Sequence, residues 1–145
     1  MFMYWMLVLF AGLLLVGPSS EQHAVEQAGQ LQDQTLNLRS TQMVRYMNRI
    51  NDWRYQNPSA GDMSVSDSQL TGWSSVAGLN NIISGGRTFV WRAGEPGLMA
   101  ALLTQTRQSA LVGRVTARRL LDNTGTDMQI LVPAVIPDGS VVWVN

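Results

Sequence analysis

Cysteine and lysine are both missing from this 145-residue chain, and histidine occurs once, at His23. Without a thiol there is no disulfide staple, thiol nucleophile, zinc–thiolate site, iron–sulfur cluster or lipid-modified cysteine. The absence also fits an oxidising compartment, where stray thiols are a liability. Without lysine there is no P-loop, because that motif's lysine holds phosphate charge. The single histidine falls in a polar stretch far from any apolar strand. It reads as a solvated helix residue, which leaves no serine with a usable base. Metal sites need clustered ligands, whereas Asp62/Asp67 and Asp122/Asp127 read as turn acids that satisfy backbone groups. Gly85-Gly86 leads into a strand rather than a helix, so it is no phosphate cradle. A carboxylate pair for glycan hydrolysis would have to come from scattered acids. The chain therefore reads as non-enzymatic, with no cofactor and no metal.

Charge is scarce as well. Ten arginines balance ten acids at zero net charge, so no broad attraction to nucleic acid or anionic lipid is expected. That every basic residue is arginine has two readings: a planar fork suited to fixed ion pairs and interfaces, or a codon bias of the genome.

What is present begins at Met1. Residues 1–17, MFMYWMLVLFAGLLLVG, carry no charge and would form a helix about 25 Å long against a hydrocarbon core of ~30 Å. Two readings compete, a retained membrane anchor and a cleaved secretory signal. A signal needs a positive n-region and small residues before its cut. Here the first residues are apolar or aromatic, and Pro18 sits close to the candidate site. Tyr4 and Trp5 suit the headgroup level. These features favour the anchor, with the remainder exported. The expected organisation is a transmembrane segment at 1–17, a long amphipathic helix or stalk at 18–57, and a small α+β domain at 58–145. In a Gram-negative cell the chain would be single-pass in the inner membrane, with its body in the periplasm.

Ser19 or Ser20 can cap the long helix, and Glu21 suits its first turn. Val25, Ala28, Leu31, Leu38, Tyr46, Ile50 and Trp53, with Thr35 and Gln42 as softer members, form the expected apolar stripe, which ends at Asn57-Pro58. The glutamine-rich N-terminal half reads as a free stalk or a coiled-coil strand. Residues 59–86 are loop-rich, with a short strand near Met63 and Val65, and with Leu70 and Trp73 plugging the core. RTFVWR, Arg87 to Arg92, is a strand with Phe89 and Trp91 on one face. A second helix opens at Gly94-Glu95-Pro96, buries Leu98, Met99, Leu102 and Leu103, and runs to about Ser109. Leu111 to Leu121 is ambiguous, although β-branched valines and a central glycine favour strand. Asn123-Thr124-Gly125 is a turn. Pro133 confines the following apolar run to an edge or a bend. Pro137-Asp138-Gly139-Ser140 is the clearest turn signal, leading into a strand at Val141 to Val144 that is expected to bury Trp143. The fold class is α+β: a long helix packed on a small, mainly antiparallel sheet, with one further helix.

With chemistry excluded, protein contact remains. Arg92, Arg114, Arg118 and Arg119, with Trp91 and Trp143, are of the types enriched at interface hot spots. The competing reading makes the tryptophans core and the arginines a solvated face.

The stretches SVSDSQLTGW (Ser64 to Trp73), RTFVWRAGEPG (Arg87 to Gly97) and the closing IPDGSVVWVN resemble the PilM family of plasmid-encoded thin (type IVb) conjugative pilus systems. That family is distinct from the actin-like cytoplasmic protein of the same name. The resemblance implies a non-enzymatic inner-membrane component of pilus assembly or pilin transport, whose partners are other pilus assembly proteins and pilin. It carries over no functional residue. A minor pilin is the neighbouring alternative, but there is no basic leader ending in glycine and no glutamate within the apolar run. A secreted binding domain or hydrolase would require signal cleavage near Ser20.

Overall fold

A computed structural model describes the backbone of residues 2–145 and the side chains from residue 24 onward. The side chains of the expected membrane run at 1–17, of Glu21 and of His23 lie outside the described ones. The expected helix start at Ser19 or Ser20 is corrected, because the backbone is one helix from Phe2 to Gln56. Among the described residues no helix is long and apolar enough to cross a membrane.

The elements in order are α1 (Phe2–Gln56), β1 (Asn80–Ser84), β2 (Arg87–Arg92), α2 (Leu98–Gln105), β3 (Val112–Thr116), β4 (Arg119–Leu121), β5 (Asp127–Leu131) and β6 (Val141–Val144). The six strands form one sheet in the order β1-β2-β6-β3-β4-β5, and every pairing is antiparallel. The chain divides into two compact units, Met1–Thr35 and Leu36–Asn145.

In the first unit, every residue from 24 to 35 is exposed, Val25 and Leu31 included. The second unit holds the core. Its part of α1 buries Met43, Tyr46, Met47 and Ile50, while Leu38 stays 58% exposed. The expected stripe is therefore corrected. Steps of three and four from Leu36 through Ser40, Met43, Met47 and Ile50 define the packed side, rotated away from Leu38 and Gln42. Two methionines carry it, since a flexible thioether fills an irregular gap beneath loops and sheet. Arg54 ends the helix by donating to Thr88 Oγ1 at 2.8 Å and to the Gly86 carbonyl at 3.0 Å.

Alternation sorts the strands onto two faces. On the helix side, Ile83, Val90, Val112 and Val141 join the α1 residues with Leu98 and Leu102. On the other side, Phe89, Trp91, Val115, Leu120, Val142 and Val144 are closed over by Val132 and Ile136. RTFVWR spans the whole of β2, with Phe89 and Trp91 on one face as its pattern predicts. Trp143 is corrected. It stands opposite Val90 and Val112 but is only partly buried at the margin of the helix-side core.

The ambiguous stretch 111–121 is neither one helix nor one strand; it is the β3–β4 hairpin. Its glycine is required by close approach. A Cβ on Gly113 would lie 2.6 Å from both Leu120 Cγ and the Leu121 carbonyl oxygen. The loop-rich stretch also hides β1, whose outer side carries the Met63–Ile83 bridge. Asn81 braces that side. Its amide accepts from Val65 N at 2.9 Å and donates to Val65 O at 2.8 Å and Tyr46 Oη at 2.5 Å. Tyr46 in turn donates to Asp67 at 3.2 Å and stacks on Trp73 with ring centroids 5.0 Å apart.

Trp91→Ala is expected to destabilise by about 3–5 kcal/mol, the range for a buried aromatic truncation, and Trp143→Ala by clearly less. Equal losses in urea melts would show Trp143 to be a full core residue. Burial raises the Tyr46 pKa from 10.0 to about 12, with Asp67 adding to the rise and the Asn81 hydrogen bond opposing it. The unfolded phenol ionises first, so this contribution is complete below pH 10 and is lost as pH climbs towards 12. Tyr46→Phe should flatten the fall in urea midpoint between about pH 10 and 12. Parallel falls in the two proteins would assign the alkaline loss to other groups.

Candidate partner-contact surfaces

The four arginines singled out by residue type fall into two places. Arg92 and Arg114 stand on the helix side of the sheet, both in register with Val141 of the strand between them. Arg92 is half-buried and Arg114 exposed. Close packing of the two loops ahead of them fixes this spot: a Cβ on Gly94 would lie 2.1 Å from the Gly139 carbonyl oxygen and 3.9 Å from Arg114 Nε. Arg39 of α1 pairs with Glu95 here. Burial lowers the Arg92 pKa, the Arg39 charge lowers it further, and Glu95 opposes both. Arg92 Nη1 and Glu95 Oε1 are buried without a hydrogen-bond partner among the described residues. Arg39 and Glu95 tie α1 to the loop ahead of α2, and the half-buried Arg92 guanidinium stands within their electrostatic reach without a bond from its Nη1.

Arg118 and Arg119 sit at the other end of the sheet and are exposed. Ala117 and Arg118 form the two-residue β3–β4 turn with φ of 48° and 61°. Positive φ at both central positions is the condition of a type I′ turn, which Asn-Gly satisfies and an alanine–arginine pair satisfies only under strain. The Arg118 guanidinium donates from Nε to the Val132 carbonyl at 3.4 Å, and Val132 N donates back to the Arg118 carbonyl at 2.9 Å. Arg119 pairs with Leu131 of the edge strand β5. Leu131 and Val135 are each 59% exposed. Two exposed arginines thus lie beside an exposed leucine of the edge strand. Gln129, with φ of 59°, and a register shift interrupt that edge, which blunts strand-on-strand pairing.

Of the two tryptophans weighed as contacts, Trp91 is 6% exposed and belongs to the core. Sequence reasoning missed a third surface. The side of α1 beside its buried stripe and the segment 69–76 enclose two adjoining hollows of about 320 and 500 Å³, both lined by Arg49 and Asp52. Trp53 and Trp73 wall the two hollows. The spacing of Gln42, Arg45, Arg49, Asp52 and Gln56 at three- and four-residue steps was the available signal, masked by the polarity of those residues.

The acids have structural work. Asp122 Oδ1 accepts from Thr124 Oγ1 at 2.6 Å and from the Thr124 and Thr126 backbone at 2.9 Å. The Thr124 hydroxyl, followed by the Thr126 amide, lowers its pKa. Asp62 accepts from Gly85 N and Asp127 from Gln129 N. Among the described residues, no three His, Cys, Asp or Glu side chains gather to hold a metal.

Fold and surfaces together define an α+β protein whose arginines and acids are spread over several surfaces of the described residues. The family model PilM matches residues 8–144, and the chain belongs to the PilM family. It is 41% identical to a PilM protein of Escherichia coli whose crystal structure aligns over 79% of this chain and 94% of that one, with a TM-score of 0.67. A PilM protein of Pseudomonas aeruginosa is 28% identical over 73% of this chain and 90% of its own, with a TM-score of 0.45. A comparison with curated proteins gives no match.

Arg118→Gly is expected to relax the strained turn and stabilise the domain by about 0.5–1 kcal/mol, since glycine accepts positive φ freely. A melting temperature lowered by this change would mean that the bond to Val132 outweighs the strain.

Proposed function

We propose that the chain is a non-enzymatic component of a thin (type IVb) pilus assembly or pilin transport apparatus used in conjugative transfer. Residues 1–17 anchor it in the inner membrane, the helix at 18–57 leads away from the bilayer, and the α+β domain at 58–145 meets other pilus assembly proteins, or pilin, in the periplasm. Membership of a pilus-related family supports the setting. The observation that carries the contact role is the group of Arg118, Arg119 and Leu131, in which two exposed arginines lie beside an exposed leucine of the edge strand. Arginine beside apolar area is the composition of an interface rather than of an ordinary solvated face. Arg92 and Arg114, although of the same residue type, stand on the helix side of the sheet and contribute less to this surface.

Deleting the gene should abolish pili while pilin synthesis continues, and a periplasm-dependent reporter fused after Asn145 should be active. Normal piliation and normal mating in liquid after deletion would overturn the assembly role. An inactive reporter, or a mature protein beginning near Ser19 to Glu21, would overturn the anchored topology. Arg118→Ala with Arg119→Ala should lower piliation at least tenfold while the domain stays folded, its melting temperature falling only by what the lost bond to Val132 accounts for. Undiminished piliation would move the contact elsewhere on the domain.

A further inference from the structure

The groove between α1 and the segment 69–76 is built for a ligand of a particular kind. Its lining follows α1 from Gln42 to Gln56, a rise of about 21 Å, which matches roughly six residues of extended chain. Two guanidiniums, Arg45 and Arg49, and one carboxylate, Asp52, line it side by side from α1. None of the three makes a hydrogen bond or ion pair with another described residue, unlike Arg39, Arg54 and Arg118. Asn48 stands among the charges on α1, Gln42 and Gln56 flank them, and Gln69 comes from the other segment. A side-chain amide offers a donor and an acceptor together, which is what the alternating N–H and C=O groups of an extended backbone require. A lone phosphate or a lipid headgroup would use the arginines and leave the amides idle. Trp53 and Trp73 supply flat apolar walls for side chains, the second held by its stack on Tyr46.

We propose that this groove binds an extended, acidic peptide segment of a partner protein, with Arg45 and Arg49 pairing its carboxylates and the amide side chains pairing its main chain. The site is separate from the Arg118–Arg119 edge, and its occupation does not depend on the pilus assignment.

The test uses the purified full chain in detergent and a displayed library of random twelve-residue peptides. Selection should enrich sequences rich in Asp and Glu. The Arg45→Glu, Arg49→Glu double variant, which alters exposed positions and should melt unchanged, should instead enrich Lys and Arg. Ser74→Trp fills the wider hollow without changing charge, and should weaken the selected peptides at least tenfold. No enrichment, enrichment without acidic bias, or the same sequences from both proteins would overturn the proposal. So would undiminished binding by Ser74→Trp, which would place the acidic peptides on a diffuse charged surface. Displacement of selected peptides by phosphatidylglycerol vesicles, but not by neutral vesicles, would identify a lipid surface and overturn it as well. Each readout is made without pili, so it stands or falls apart from the assembly role.

Discussion

Strand β6 joins the two halves of the sheet. The β1–β2 hairpin lies on one side and the β3–β4–β5 meander on the other, and within the sheet they are joined only through pairing with Val141 to Val144. Three of these four residues are fully buried, because the strand lies between the helix-side core and the core closed by Val132 and Ile136. Val141 serves the first of these and Val142 and Val144 the second. A strand buried on both faces reads as a continuous apolar run rather than an alternating one, which is why VVWV looks as it does. The turn before it carries the same constraint. Gly139 N donates to the Val115 carbonyl, and Val115 N donates to the Ser140 carbonyl. The Gly139 carbonyl also sits where any side chain on residue 94 would have to go. The hairpin, the meander and the loop that opens α2 therefore come into register together.

The order of formation follows. The hairpins close over two to five residues and are local, whereas β2 must wait for β6 across some fifty intervening positions. Non-local pairing is the slow step in sheets of this kind. Until it happens, Phe89 and Trp91 on one face and Val90 on the other have only the β1 hairpin for cover.

Much of this was legible in the sequence where one local signal acted alone. The β2 span, the Asn123 and Pro137 turns and the edge position beside Pro133 all emerged where turn chemistry and periodicity agreed. The second helix exists but is shorter than the expected run from Gly94 to Ser109, spanning Leu98–Gln105. The failures have a common cause. At 111–121 the hairpin turn is Ala-Arg, which carries no turn signature, because tertiary bonds from Val132 hold a strained pair that composition cannot reveal. On α1 the apolar side was assigned through Leu38 and Gln42, when methionine and serine hold the true packed side. β1 was hidden because its inward residue Asn81 is polar. It is buried to bond Val65 and Tyr46, a tertiary reason invisible in a run of NNIIS. The contact surfaces were less legible still. Residue type singled out Arg118 and Arg119, which are exposed, together with Arg92, which is half-buried, and Trp91, which is core. The groove on α1 was missed because its residues are polar and read as solvent face.

The exclusive use of arginine divides along the same line. Arg54 spends its fork on two acceptors at once, Arg39 holds Glu95 and Arg118 reaches a carbonyl. At each of these sites a planar donor of fixed direction does what a lysine point charge would do less well. Arg45, Arg49, Arg87, Arg92, Arg107, Arg114 and Arg119 make no such bond with the described residues. Of these, Arg45 and Arg49 line the groove, Arg92 and Arg114 stand on the helix side of the sheet, and Arg119 pairs with the edge strand. Holding a long charged side chain in one geometry costs rotamer entropy, and an exposed ion pair returns little. An unpaired arginine against apolar surface loses less freedom when a partner docks, since its stem already rests on carbon. Arginines that brace the fold and arginines left unpaired are thus distinguished by what they already hold, a distinction residue type alone cannot supply.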